Sequence, residues 1–176
     1  MRVFITGASG HVASALIPEL VSAGHQVAGL ARSDEAAEVV AARGAQVVRG
    51  DLGDLDVLRG AAAAADGVVH LAFRHDLMQV GDMVGAADAD LAAVNAIADE
   101  LTGTGKALVG TSGTAMLALM GITGRPGLES DAFDGGPRID TENLIIGLAD
   151  KGVRSSIVRL PPVSYTHLRA HETLRY

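Results

Sequence analysis

Apolar residues along this chain fall into short runs that alternate with stretches of helical spacing. Residues 3–6 make the first run, which stops at Gly7 and predicts a strand. Ala13, Leu16, Ile17, Leu20 and Val21 follow at intervals of three and four, on one face of a helix that Gly24 ends. The same reading predicts further strands at 26–30, 46–49, 67–72, 107–111 and 154–160. Helices are expected at 33–43, 54–65, 84–101 and 138–151. Ser33 caps the first of these, Glu35 and Glu38 favour its N-terminal half, and Gly152 stops the last. Strand and helix repeated with short, right-handed connections predict an α/β fold, a doubly wound parallel sheet in the order 3-2-1-4-5-6. Two connections are long, 73–83 and 115–137, and both leave the C-terminal ends of strands, where such sheets bind ligands.

Composition narrows the classes. An apolar content of 48% in 176 residues supports one domain with a core, and alanine abundance with three Phe and no Trp makes that core small and aliphatic. A net charge of −7 gives no basic face for nucleic acid. The absence of cysteine removes disulfides and thiolate ligands, so a reducing compartment and no metal site are expected. No apolar run approaches the ~18 residues of a membrane span, and Met1 leads directly into a strand. The expectation is a cytoplasmic protein with a small-molecule substrate, no nucleic-acid or membrane partner, and self-association left open.

The segment between the first strand and the first helix carries the candidate chemistry. In Gly7-Ala-Ser-Gly10-His-Val-Ala13, Gly7 permits a tight turn, Gly10 lets the backbone approach a pyrophosphate, and Ala13 is small enough for close helix-to-strand packing. The helix N-terminus adds N–H donors and positive potential, so Gly7, Ser9, Gly10, His11 and Val12 are candidate cofactor contacts; the alternative is a structural glycine turn. The end of the second strand selects the nicotinamide cofactor. An acid there suits a ribose 2′-hydroxyl, and an arginine suits a 2′-phosphate. Arg32 and Ser33 stand there, favouring NADP(H) over NAD(H), while Asp34, if turned inward, would favour NAD(H).

TGASG near the N-terminus, Gly50-Asp51-Leu52 after the third strand, His70-Leu71-Ala72 at the end of the fourth and Arg159-Leu160-Pro161-Pro162 at the end of the sixth resemble the extended and atypical short-chain dehydrogenases/reductases. This is the superfamily of NAD-dependent epimerases and dehydratases, with a Rossmann fold, and the resemblance covers residues 1–162. It implies that Asp51 and Leu52 lie beside an adenine. It also implies that His70, Leu71 and Ala72 pass along the cofactor, His70 through its main chain; the plainer alternative is an imidazole satisfied by backbone.

The catalytic set departs from that pattern. The superfamily uses Tyr-x-x-x-Lys on the helix after the fifth strand, with a Ser or Thr at that strand's end, the lysine lowering the tyrosine pKa for proton transfer. Here the tyrosines are Tyr165 and Tyr176, the lysines Lys106 and Lys151, and the motif is absent. Arg138-Ile-Asp-Thr-Glu142 stands in its place with the same spacing. Arg138 keeps its proton and so cannot replace the tyrosine as an acid; its expected roles are oxyanion or carboxylate binding, with Glu142 positioning it. The alternative is an ordinary helix-face ion pair worth about 0.3 kcal/mol. Ser112 and Thr114 are both candidates for the hydroxyl after strand five, or simply strand terminators. His75-Asp76 is a further acid–base candidate, or a solvated loop pair.

The leading expectation is an NADP(H)-binding oxidoreductase transferring hydride to or from a small carbonyl or alcohol; the alternative is a non-catalytic NAD(P)-binding redox sensor or regulator. The final residues change character. SYTHLRAHETLRY shows neither strand nor helix periodicity, and VSYTHLRAHET resembles the in-frame translation of a sequencing-library adapter. The expected division is a Rossmann domain at 1–162, truncated so that the substrate-binding C-terminal part is missing, and a non-native tail at 163–176 that packs poorly.

Overall fold

The computed structural model describes residues 1–161. Six parallel strands form one sheet: β1 (Arg2–Thr6), β2 (Gln26–Ala31), β3 (Gln46–Arg49), β4 (Gly67–His70), β5 (Ala107–Gly113) and β6 (Arg154–Leu160). Their order is β3-β2-β1-β4-β5-β6, the doubly wound topology the alternation predicts. Val3 stands opposite Val27 on one side and Gly67 on the other, so β1 is central and pairs in register with both neighbours.

Helices cover both faces. They are α1 (His11–Ser22), α2 (Asp34–Ala42), α3 (Leu55–Ala63), α4 (His75–Gln79), α5 (Met83–Leu101), α6 (Ala115–Leu119) and α7 (Ile139–Gly147). Period-two alternation divides the core. Phe4, Ala28 and Leu30 pack with Leu58, Ile97 and Ile145 from α3, α5 and α7. Val3, Ile5, Val27 and Ala31 pack with Ala13, Ile17 and Val40 from α1 and α2. A strand buried on both faces reads as an unbroken apolar run, which is why β1 and β2 show no polar alternation.

Punctuation follows the local chemistry. Gly24 adopts φ +82°, and the His25 N–H reaches back to the Leu20 carbonyl at 3.0 Å, closing α1. Ser33 caps α2 by accepting from the Ala36 N–H at 3.1 Å.

Several boundaries shift by a residue or two from the sequence reading, and four differences bear on the site. β4 stops at His70: the Leu71 N–H is shared between the Thr6 carbonyl at 3.3 Å and the Thr6 hydroxyl at 3.2 Å, and the Ala72 N–H turns to that hydroxyl at 3.2 Å. β5 continues to Gly113, paired with Leu160. The long connections hold α4 and α6, single turns too short to show a period. The last helix is α7 followed by a 3₁₀ turn at Leu148–Lys151, and Arg138 lies outside it, as N-cap with φ +71°. The expectations about Pro162 and the tail fall outside the described residues, as do both tyrosines.

Candidate functional site

The strands are parallel, so the turns that leave their C-terminal ends gather along one edge of the sheet. There a cleft of about 360 Å³ runs from the ends of β2 and β3, across the β1–α1 turn, to the segment after β4. Gly7, Ser9, Gly10, His11 and Val12 line its centre; Arg32, Asp51 and Leu52 line one end, and Leu71, Ala72 and Phe73 the other. Ser33 and His70, also expected at the cofactor, do not line it.

The glycines are explained by contact. Gly7 has φ +66°, and a Cβ there would stand 2.8 Å from the Ala72 nitrogen and 2.9 Å from the Leu71 carbonyl carbon. Both atoms are backbone and cannot give way, so the turn lies flush against the end of β4 only without a side chain. A Cβ on Gly10 would stand 3.0 Å from the Gly7 carbonyl oxygen, which accepts the Gly10 N–H at 2.9 Å. From behind, Arg43 donates to the Ala8 and Gly10 carbonyls at 2.6 and 2.9 Å, pinning the turn from the end of α2. Burial holds the Arg43 guanidinium below its ordinary pKa. Nothing in the spacing of residue 43 betrays this role.

At the β2 end, Asp34 is ion-paired with Arg49, whose guanidinium also donates to the Ser33 carbonyl at 2.6 Å. Neither Asp34 nor Ser33 lines the cleft, and the Ser33 hydroxyl is spent on its helix cap. The Arg32 side chain lines the cleft, exposed and without a polar partner among the described residues. Asp51 folds its carboxylate onto the Gly53 N–H at 2.6 Å, while its own N–H is held by Asp54 at 2.8 Å.

Beneath the other end lies a buried polar chain. The Thr6 hydroxyl oxygen accepts from Leu71 and Ala72, so its proton is available to His70 Nδ1, 2.9 Å away. His70 Nε2–H then donates to Asp90 Oδ1 at 3.0 Å, a tautomer assigned from these partners. Thr6, His70 and Asp90 are all 1% exposed or less. The imidazole is therefore satisfied by side chains, not by backbone, and is sealed off from the cleft. Burial opposes ionisation of Asp90, but the hydrogen bonds from His70 and Thr141 and the charge of Arg138 outweigh it and hold the carboxyl below the usual range. Asp90 is the legible member of this chain, one acid at helical spacing among Ala86, Ala93, Val94 and Ile97.

Arg138 completes the chain. Its guanidinium lies 3.5 Å from Asp90, donates to the Thr111 carbonyl at 2.8 Å and stacks 4.1 Å from the centre of the Phe73 ring. It does not pair with Glu142. The one-turn backbone relation holds, the Glu142 N–H donating to the Arg138 carbonyl at 3.1 Å, but the side chains part: Arg138 is an N-cap with φ +71°, and Glu142 is ion-paired with Arg159 of β6, whose Nε–H donates at 2.9 Å. Arg159 also holds the Asp131 carbonyl at 2.8 Å. The His75–Asp76 pair does not form either: Asp76 takes a bidentate contact from Arg74, which draws its carboxyl down to about 2, and His75 sits edge-on to Phe73 at 5.4 Å.

The four catalytic candidates therefore do not converge. Thr114 and Glu142 line a second cavity of about 500 Å³ beside β6, with Leu117, Leu128 and Arg159. Ser112 Oγ is buried with no partner among the described residues, and Arg138 is committed to Asp90, Thr111 and Phe73. Among the described residues, no three His, Asp or Glu side chains are grouped to hold a metal, and no helix is long and apolar enough to cross a membrane.

Known proteins are similar to this chain. An uncharacterized protein of Saccharomyces cerevisiae is 41% identical over 166 residues, covering 92% of this chain and 53% of its own length. One of Schizosaccharomyces pombe is 40% identical over 162 residues, 92% of this chain and 54% of its own. The chain thus spans about half the length of the curated relatives it matches. Among solved structures, a short-chain dehydrogenase/reductase superfamily protein of Agrobacterium tumefaciens with bound NAD superposes with a TM-score of 0.65 at 19% identity, covering 90% of this chain and 48% of that one. Residues 3–131 match the profile of one family from the first strand through the connection after β5, and on that match the chain belongs to the NAD dependent epimerase/dehydratase family.

Proposed function

We propose that the cleft holds a nicotinamide dinucleotide, NADP(H) in preference to NAD(H), and that the longer protein transfers hydride to or from a small carbonyl or alcohol. The observation that carries the reading is the layout of the cleft: a side-chain-free turn at its centre, Arg32 at one end and Phe73 at the other. The residues present fit such a ligand. A pyrophosphate would meet the first N–H groups of α1, which lack intrahelical acceptors, where Gly7 and Gly10 leave the backbone bare. Arg32 would meet the 2′-phosphate, Asp51 and Leu52 would flank the adenine, and Leu71 and Ala72 would line the nicotinamide end. Asp34, the acid that would favour NAD(H), is occupied by Arg49. The family and the NAD in the Agrobacterium relative support the cofactor class.

A bound nicotinamide would supply the redox chemistry. The chain's own residues orient it and exclude water along the Leu71–Phe73 wall. Thr114 remains the proposed hydroxyl contact to substrate, because it faces a cavity where Ser112 does not. Arg138 and Glu142 act through the residues they hold. One observation favours the second reading, a non-catalytic redox sensor: no tyrosine or lysine lines the described cleft.

Titration with NADPH and NADH, read by reduced-nicotinamide fluorescence, tests the assignment. The chain binds NADPH more tightly, and Arg32→Ala weakens NADPH by about ten- to a hundredfold, the worth of charged hydrogen bonds, with little effect on NADH. Equal wild-type affinities, or an equal loss on both cofactors, refute the preference.

A further inference from the structure

We infer that Arg138 is a positioning residue for the nicotinamide end of the cleft, acting through the Phe73 ring; the inference rests on the cofactor reading above. Three observations meet at this side chain. Arg138 is the only non-glycine residue with positive φ among the described residues, at +71°, a conformation kept where surrounding contacts over-determine it. Those contacts are the Thr111 carbonyl, Asp90 and the face of Phe73. Phe73 in turn lines the cleft and meets His75 edge-on, so the ring is held from behind by a cation and from the side by an imidazole.

The anchor is shared with the centre of the cleft. Asp90 holds Arg138 with one carboxylate oxygen and His70 with the other, and His70 holds Thr6, the residue before Gly7. Thr6 fixes the Leu71 and Ala72 N–H groups, so the backbone that leads into Phe73 and the side chain beneath Phe73 hang on one buried chain. The wall is thereby set before any ligand arrives. Loss of the guanidinium frees the ring to turn into the cleft, and only a ligand that reaches this end detects the change.

The test compares a whole dinucleotide with the half that stops short of Phe73: NADPH against adenosine 2′,5′-bisphosphate, and NADH against AMP, by calorimetry on the whole chain. Arg138→Met and Phe73→Leu each weaken the dinucleotide by about three- to tenfold, as expected for one lost cation–π contact, and leave the adenosine fragment within twofold. Arg138→Lys, which retains a cation over the ring, recovers part of the loss. Thermal melts check folding; should Arg138→Met fail to fold, Phe73→Leu carries the same comparison with the buried chain intact. Equal weakening of dinucleotide and fragment, or no weakening by either variant, overturns the inference while the cofactor reading stands. A wild-type chain that binds no dinucleotide overturns both.

Discussion

Replacing Asp90 with alanine removes the one carboxylate that serves His70, Arg138 and the Thr141 hydroxyl. His70 Nε2–H and the Arg138 guanidinium then face a void, in a region where His70 and Asp90 are each 1% exposed. Breaking a buried charged pair from one side costs about 3–5 kcal/mol, because the surviving group is left desolvated and unpaired. Against a typical stability of about 5–15 kcal/mol this leaves the chain folded but weakened. Asp90→Asn keeps an oxygen for His70 and presents an amide to Arg138, so a smaller loss of about 1–3 kcal/mol is expected. Urea denaturation at pH 7, followed by far-UV circular dichroism, measures both if the slope is unchanged. Acid adds a second reading. The folded Asp90 carboxyl titrates below its unfolded counterpart, so its stabilisation is complete above the unfolded value, about pH 4, and is lost as pH falls through the lower folded value. The wild type therefore loses stability more steeply than Asp90→Asn below about pH 4, while Asp76 and Asp131, each held at about 2 by its arginine, are common to both proteins. An Asp90→Ala loss under about 1 kcal/mol, or identical acid slopes, refutes the linked buried chain.

Two further outcomes follow from the turn at the centre of the cleft. Gly7→Ala combines positive φ with a Cβ 2.8 Å from backbone and is expected to cost about 2–4 kcal/mol in chemical denaturation. Gly10→Ala, at φ −72°, costs less, and equal losses contradict the account. Arg43→Met frees the Ala8 and Gly10 carbonyls, so amide hydrogen exchange at residues 9–12 accelerates by about tenfold, while exchange in β5 is unchanged.

The strands and their order were legible because each central strand is apolar on both faces and each connection is short. The end of β4 is not legible, because Leu71 and Ala72 are as apolar as the strand before them, and it is the Thr6 hydroxyl, distant in sequence, that draws the Ala72 N–H and part of the Leu71 N–H away from strand pairing. Most of the cleft was legible, since a glycine turn and the strand ends that flank it are local features. The Arg138–Glu142 pair failed for the opposite reason. Spacing describes side chains on a regular helix, and Arg138, though its carbonyl still accepts the Glu142 N–H, is an N-cap at φ +71° whose side chain leaves that face. The true partners, Arg159 for Glu142 and Asp90 for Arg138, come from other elements and leave no periodic trace. Arg43 and Phe73 were missed likewise: a long side chain reaching a carbonyl, and an aromatic in a loop, carry no pattern.

The two ends of the cleft are fastened by different kinds of bond. At the Arg32 end the fastener is the Arg49–Asp34 pair, 52% and 93% exposed in their side chains, and such pairs contribute little and are screened by salt. At the Phe73 end it is a chain threaded through the core. The first can be rewritten one surface residue at a time without touching the fold, whereas any change to the second is felt by β1, β4 and α5 together. On the cofactor reading proposed above, preference between the two nicotinamide dinucleotides would be a trait that can drift or be engineered almost independently of stability, while the geometry at the Phe73 end is inherited with the core.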